Sequence, residues 1–138
     1  MRVHAHLVRY HEVDQQGFLF NGRFMEIADV AMAEFFRMLG WTYPEMNALG
    51  FDPSVASVTA QFRAPARYDD ALDADVRCTR VGTSSFDIAT RITRGDEVVA
   101  ELQIVYVNVN AAQAASVRVP ESIAEALRDQ ASRQEESK

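Results

Sequence analysis

Residues 21–39 carry the most apolar helical pattern in the chain, and this pattern restricts the fold more than any other stretch. Phe24, Ile27, Ala28, Ala31, Phe35 and Met38 recur at helical spacing. Met25, Met32 and Phe36 widen the apolar surface past a single stripe. A helix apolar over most of its circumference belongs inside a protein, not on its surface. Asn21 reads as its N-cap and Gly40 as its C-terminal stop. Whatever else the chain forms has to cover this helix.

The material available to cover it is mostly strand. Residues 2–10 alternate Val3, Ala5 and Leu7 against Arg2, His4 and His6. A loop over 11–20 follows, with Gly17 able to take a conformation closed to other residues. Trp41-Thr42-Tyr43-Pro44 opens a short helical piece over 45–49, closed by Gly50. Strand patterns then run over 55–64, 71–81, 85–93 and 98–110, with Pro65, Gly82-Thr83-Ser84 and Arg94-Gly95-Asp96 as breaks. The stretch 98–110 is apolar on both faces, which marks an interior strand. Pro120-Glu121-Ser122 starts a last helix with a thin apolar face of Ile123, Ala126 and Leu127. Residues 130–138 are polar and are expected to fray. The order is strand, buried helix, four strands in meander, helix. It predicts one α+β domain over 1–138, a single antiparallel sheet curling around one long helix.

Composition removes several function classes. The net charge of −6 disfavours a duplex nucleic-acid partner. No apolar run approaches membrane-spanning length, and the first residues have no signal-peptide core. Cys78 is the single cysteine, so no intrachain disulfide forms, and a cytoplasmic protein is expected. His4-x-His6 puts two imidazoles on one side of a strand, but spacing places no third ligand, so no metal site is expected. Ser84-Ser85 lacks the Gly-x-Ser-x-Gly context of a nucleophilic serine. Cys78 alternates with apolar neighbours as a core residue does.

The chemistry concentrates between Tyr10 and Phe24. This stretch holds Asp14, then Gly17, then Phe20-Asn21-Gly22 at the start of the buried helix. A carboxylate there can attack a carbonyl or activate water. The first amides of a helix have no intrahelical acceptor and can hold an oxyanion. Glu12 reads as solvated and His11 as a strand end.

Two motifs resemble those of the hotdog-fold acyl-CoA thioesterases, in particular the 4-hydroxybenzoyl-CoA thioesterase family and its YbgC-like branch. The first is Arg9-Tyr10-x-x-Val13-Asp14-x-x-Gly17-x-x-Phe20-Asn21, leading into Phe24 and Asp29-x-Ala31-x-x-Glu34-Phe35. The second is Pro65-Ala66-Arg67-Tyr68-Asp69-Asp70. The resemblance implies a five-stranded antiparallel sheet wrapped around a central helix. It implies homodimers or homotetramers, with the strand at 55–64 paired edge to edge and the active site at the subunit interface. It also implies hydrolysis of an acyl-CoA or acyl-carrier-protein thioester without a cofactor. Asp14 takes the place of the family's nucleophile or general base, and the amides near Asn21 and Gly22 that of its carbonyl-polarising donors. Gly17, Phe20, Phe24 and Arg67 are the expected substrate contacts. Asn21 stands where many YbgC-like members have histidine, so it has two readings, a helix cap or a group that orients water or the acyl carbonyl. That substitution keeps a second class in view, a hotdog domain that binds acyl thioesters without hydrolysing them. A hotdog hydratase is disfavoured, because no histidine follows His11. Cationic groups are expected to meet the phosphates of coenzyme A, with Arg63, Arg67, Arg77, Arg80, Arg91 and Arg94 as candidates.

Overall fold

The helical pattern over 21–39 forms α1 (Asn21–Leu39) in the computed structural model, which describes the backbone of residues 1–136 and the side chains of residues 1–133. Phe24, Ile27, Ala28, Ala31, Phe35 and Phe36 are its buried residues. Gly40 ends it in the left-handed region at φ 115°, its N–H donating to the carbonyls of Phe36 and Arg37. Two expectations for this helix change. Met38 is 56% exposed and Val30 46%, so the sheet covers one side of α1 and leaves the other open. The cap residue is Phe20, and Asn21 is the first residue inside the helix.

The sheet is antiparallel throughout. It comprises β1 (Arg2–Leu7), β2 (Pro53–Phe62), β3 (Ala71–Val81), β4 (Ser85–Arg94) and β5 (Glu97–Asn110), with a two-residue β6 (Ala115–Ser116) against the end of β5. The spatial order is β1-β3-β4-β5-β2. Only β3, β4 and β5 form a meander. β2 does not lie beside β3 but crosses to the far edge and pairs with β5. The inner face carries Leu72, Ala74, Val76, Phe86, Ile88, Ile92, Leu102, Ile104 and Tyr106, all buried. Phe36, Phe51 and Phe86 meet edge to face or tilted at 5.4–5.9 Å, and Tyr106 stacks on Phe86 at 5.3 Å. Each such ring, fully buried, contributes about 1.5–3 kcal/mol.

The faces of β1 do not follow its apolar alternation beyond Val3, which packs against the core next to a register shift between Arg2 and His4. Ala5 and Leu7 are exposed, whereas His4 and His6 pair with the buried Ala74 and Leu72 of β3 and share their face. Register with β3 decides this, and a partner for His6 inside the fold permits it. A second short helix, α2 (Tyr43–Ala48), starts earlier than expected because Thr42 and Glu45 cap each other's backbone. The last helix, α3 (Glu121–Glu136), continues through the stretch expected to fray. Gln130 is buried there, and its Oε1 accepts the Cys78 amide of β3 at 2.9 Å. The final two positions of the expected tail lie outside the described residues.

Asn108 is a buried hub at the end of β5. Its Oδ1 accepts the Asp52 amide at 2.7 Å, and its Nδ2 donates to the Gly50 and Arg118 carbonyls at 3.0 and 3.1 Å. It therefore ties β5 to the turn before β2 and to the segment before α3. Asn108→Ala leaves three backbone groups without partners. We expect it to destabilise the fold by about 3 kcal/mol, measured by urea unfolding.

Candidate active site

Two remote segments meet at the N-terminal end of α1. After β1 the chain makes a one-turn 3-10 helix, Tyr10–Glu12, then a tight ribbon. Val13 pairs with Leu19 across this ribbon, and the Phe20 amide donates to the Glu12 carbonyl at 3.0 Å. The turn 65–70 lies against its outer side. Phe18 bridges to Arg67, and the Leu19 amide donates to the Ala66 carbonyl at 2.7 Å. The two sequence motifs are therefore one structure.

Asp14 sits at the tip of the ribbon, exposed to solvent. Its amide donates to the Phe18 carbonyl at 2.8 Å, and its own carbonyl accepts the Gly17 amide at 2.9 Å. Oδ1 accepts the Gln16 and Phe18 amides at 2.8 and 3.3 Å, an Asx turn that fixes the carboxylate by one oxygen. Oδ2 accepts no hydrogen bond from the described residues. Gly17 closes the tip at φ 81°, where a side chain would be strained by about 1–2 kcal/mol.

The foot of the ribbon is the start of α1. Phe20 caps the helix with its backbone alone, and no side chain accepts from the first turn. The amides of Asn21 and Gly22 are therefore outward donors at the positive end of a 19-residue helix. The side chain of Asn21 makes no hydrogen bond among the described residues. Phe20 is 56% exposed, and its ring crosses Gly22 so closely that a β-carbon there would lie 3.2 Å from it. Phe24 is 3% exposed and packs on Phe62 at 5.5 Å, inside the core rather than on the ribbon surface.

The six candidate arginines separate into four groups. Arg67 lies beside the ribbon, its guanidinium 5.1 Å from the centre of the Phe18 ring. Arg94 is consumed in holding the turn, through Asp70, Glu97 and the Pro65 carbonyl. Burial raises the Asp70 pKa, but the Arg67 amide and Arg94 outweigh it and hold the carboxyl below the ordinary aspartate value. Arg63, Arg77 and Arg91 line a cavity of about 460 Å³ on the outer face of the sheet, where Glu101 pairs with Arg63 and Arg91. Arg80 pairs with Asp87 elsewhere on that sheet.

Sequence reasoning missed one group. Glu12 is not solvated but 7% exposed, with Oε1 accepting the Arg9 amide at 2.7 Å and bonded to His6 Nε2 at 3.0 Å. The only local signal was the spacing of Arg9 and Glu12, which is that of a capping box but with arginine in place of serine or threonine. Burial raises the Glu12 pKa; the Arg9 amide, the His6 hydrogen bond and the charges of His6 and His11 more than reverse it. Burial pushes the Cys78 thiol up to about 11, so it is no thiolate nucleophile at neutral pH. Among the described residues no group of three or more potential ligands could hold a metal ion.

This fold has relatives. Residues 8–127 match the family model described as the thioesterase-like superfamily. The chain belongs to that superfamily. Solved structures of its hotdog fold cover nearly the whole chain. A hypothetical protein of Thermus thermophilus is 25% identical, with a TM-score of 0.86 over 94% of this chain and 99% of that one. A 1,4-dihydroxy-2-naphthoyl-CoA thioesterase of Synechocystis is 17% identical, with a TM-score of 0.80 over 91% and 94%. A Staphylococcus aureus protein solved in complex with CoA is 12% identical, with a TM-score of 0.85 over 96% and 85%. At such identities the last two likenesses establish the fold.

The lowered Glu12 pKa gives a pH signature. A carboxyl whose folded value lies below its ordinary 4.5 adds stability above that pH and loses it as pH falls through the folded value. Thermal melts of wild type and Glu12→Gln should therefore differ above pH 4.5, with wild type the more stable. The gap should close as pH falls below 4.5 through the lowered folded-state value.

Proposed function

We propose that the protein hydrolyses an acyl thioester of coenzyme A or of an acyl carrier protein, with Asp14 as nucleophile or general base. The observation that carries this is the split use of the Asp14 carboxylate. Oδ1 is spent on orientation by the Gln16 and Phe18 amides, and Oδ2 is left for chemistry. Oδ2 either attacks the thioester carbon or takes a proton from the water that does. The carbonyl oxygen becomes an oxyanion held by the Asn21 and Gly22 amides, and its collapse expels the thiolate. By the water route this releases the acid, and the proton on Asp14 passes to the thiolate. By direct attack it leaves an Asp14 anhydride that a water molecule then hydrolyses to the acid and the restored carboxylate.

The family supports thioester chemistry, and the solved relatives named for a CoA thioester or bound to CoA favour coenzyme A. Exposed aromatic surface at Tyr10, Phe20 and Tyr68, with Arg67 beside it, offers stacking and charge to a nucleotide. A second copy completes the site in this reading. β2 is an edge strand, and its Val55, Val58 and Phe62 stand exposed opposite the buried Tyr106, Ile104 and Ala100. Among the described residues no helix is long and apolar enough to cross a membrane.

Asp14→Asn keeps the Oδ1 acceptor and the turn but removes the base. Against a panel of acyl-CoAs it should lower kcat by ~10²–10⁴-fold with the fold intact. An unchanged rate would remove Asp14 from the mechanism. Saturable binding without turnover by wild type would assign the protein to the acyl-thioester binders instead.

The amide donors are tested at Asn21. Proline is tolerated at the first helical position, and Phe20 at φ −62°, ψ 138° already has the extended conformation that proline requires before it. Asn21→Pro should fold normally and lose about 10²–10³-fold in kcat. Asn21→Ala, which keeps the amide, reports the side chain alone. Its stability should change by less than about 0.5 kcal/mol, since Asn21 is not the cap.

A further inference from the structure

The first turn after β1 is held by an arrangement that a merely solvated loop does not need. Glu12 Oε1 receives both the Arg9 amide at 2.7 Å and the His6 Nε2 at 3.0 Å, on a side chain that is 9% exposed. The Glu12 amide donates back to the Arg9 carbonyl at 3.0 Å. The Glu12 carbonyl then accepts the Phe20 amide at 3.0 Å, immediately before the first two free amides of α1. One residue therefore touches β1 with its side chain and the helix cap with its backbone. Two positions further on is Asp14.

We propose that Glu12 is a positioning residue of this site. Its bonds to His6, to the Arg9 amide and to the Phe20 amide set where the Asp14 ribbon stands relative to the first amides of α1. The proposal rests on the hydrolytic reading of Asp14 and those amides, and deepens it.

The physical argument is one of degrees of freedom. The ribbon 13–19 is short and tied to itself, so it moves as a unit. α1 is fixed by its buried stripe. The relation between the two is set at the hinge, Arg9–Glu12, and by the Ala66 and Arg67 contacts on the other side. On the inner side the hinge has no apolar anchor, since Tyr10 is 78% exposed and His11 is exposed. Glu12 is its one buried side chain. His6 is available to it because register with β3 turns the strand histidines inward. The titratable and charged groups around the pair are His4, whose ring is 6.2 Å from that of His6, together with His11 and Arg9. A misplacement of about 1 Å between carboxylate and oxyanion donors is enough to cost about 10²-fold in rate.

The test is a series of Glu12→Ala, Glu12→Gln, His6→Ala and the Glu12→Ala/His6→Ala pair. Two readouts are taken, steady-state thioester hydrolysis and amide hydrogen exchange at Phe18 and Phe20. In Glu12→Ala we expect kcat to fall about 10–100-fold with KM changed less than about 3-fold. Exchange at Phe20 should speed up at least about 10-fold while the β4 amides stay protected. Glu12→Gln keeps an acceptor in place and should recover most of kcat, and the double variant should be less impaired than the product of the singles. Should Glu12→Ala fail to fold, His6→Ala carries the same comparison. Unchanged Phe20 exchange in a folded Glu12→Ala or His6→Ala protein overturns the proposal. So does a Gln variant as impaired as the Ala variant, which would assign the effect to charge. If wild type hydrolyses no thioester, the hydrolytic reading fails by itself. The exchange measurement then still decides whether Glu12 sets the ribbon.

Discussion

The burial of one face of α1 in the inner face of the sheet is the constraint on which the other features depend. Six apolar side chains of the helix, from Phe24 to Phe36, have no exit from that contact. With each fully buried aromatic contributing about 1.5–3 kcal/mol, the helix cannot shift along the sheet without losing several at once. Its N-terminus is therefore fixed in space. Fixed amides are the useful kind for holding an oxyanion, because no reorganisation is needed when charge develops.

The chain brings its polar groups to that fixed point by backbone bonding rather than by side-chain packing. The ribbon 13–19 is held to α1 through the Phe20 amide and to the turn 65–70 through Leu19 and Phe18. Arg94 reaches from β4 to bind Asp70 and the Pro65 carbonyl, so the turn is in turn anchored to the sheet. The charges in this anchor neutralise one another. Arg67 makes no such ion pair among the described residues, and its guanidinium lies over the Phe18 ring beside the ribbon. In a chain of net charge −6 it is a local cation on that surface.

The open side of the molecule follows from the same constraint. One sheet covers one side of one helix, so Val30 and Met38 stay exposed, as do Val55, Val58 and Phe62 on the edge strand β2. The helix pattern, apolar nearly all round, had implied complete burial within the chain. This excess apolar surface is what the second copy proposed above would cover.

Much of this was legible in the residue order. The length and period of 21–39 dictated a long helix, Gly40 its end, and the strand lengths an antiparallel sheet around it. The motif at 9–21 located the carboxylate and the helix start. These are local properties, carried by side-chain periodicity and backbone preference. Other features were decided only by the tertiary structure. β2 crossed to the far edge because strand pairing depends on which apolar faces meet, not on chain order. His4 and His6 turned inward because register with β3 overrides alternation within a six-residue strand. Asn21 moved from the cap to the first helical turn because the Phe20 backbone, held by Glu12, already ends the ribbon there. Glu12 itself, an ordinary charged residue in the sequence, became buried because a histidine six positions earlier and an amide three positions earlier converge on one oxygen. No pattern along the chain encodes a convergence of that kind, since it exists only once the strand, the turn and the helix have been placed together.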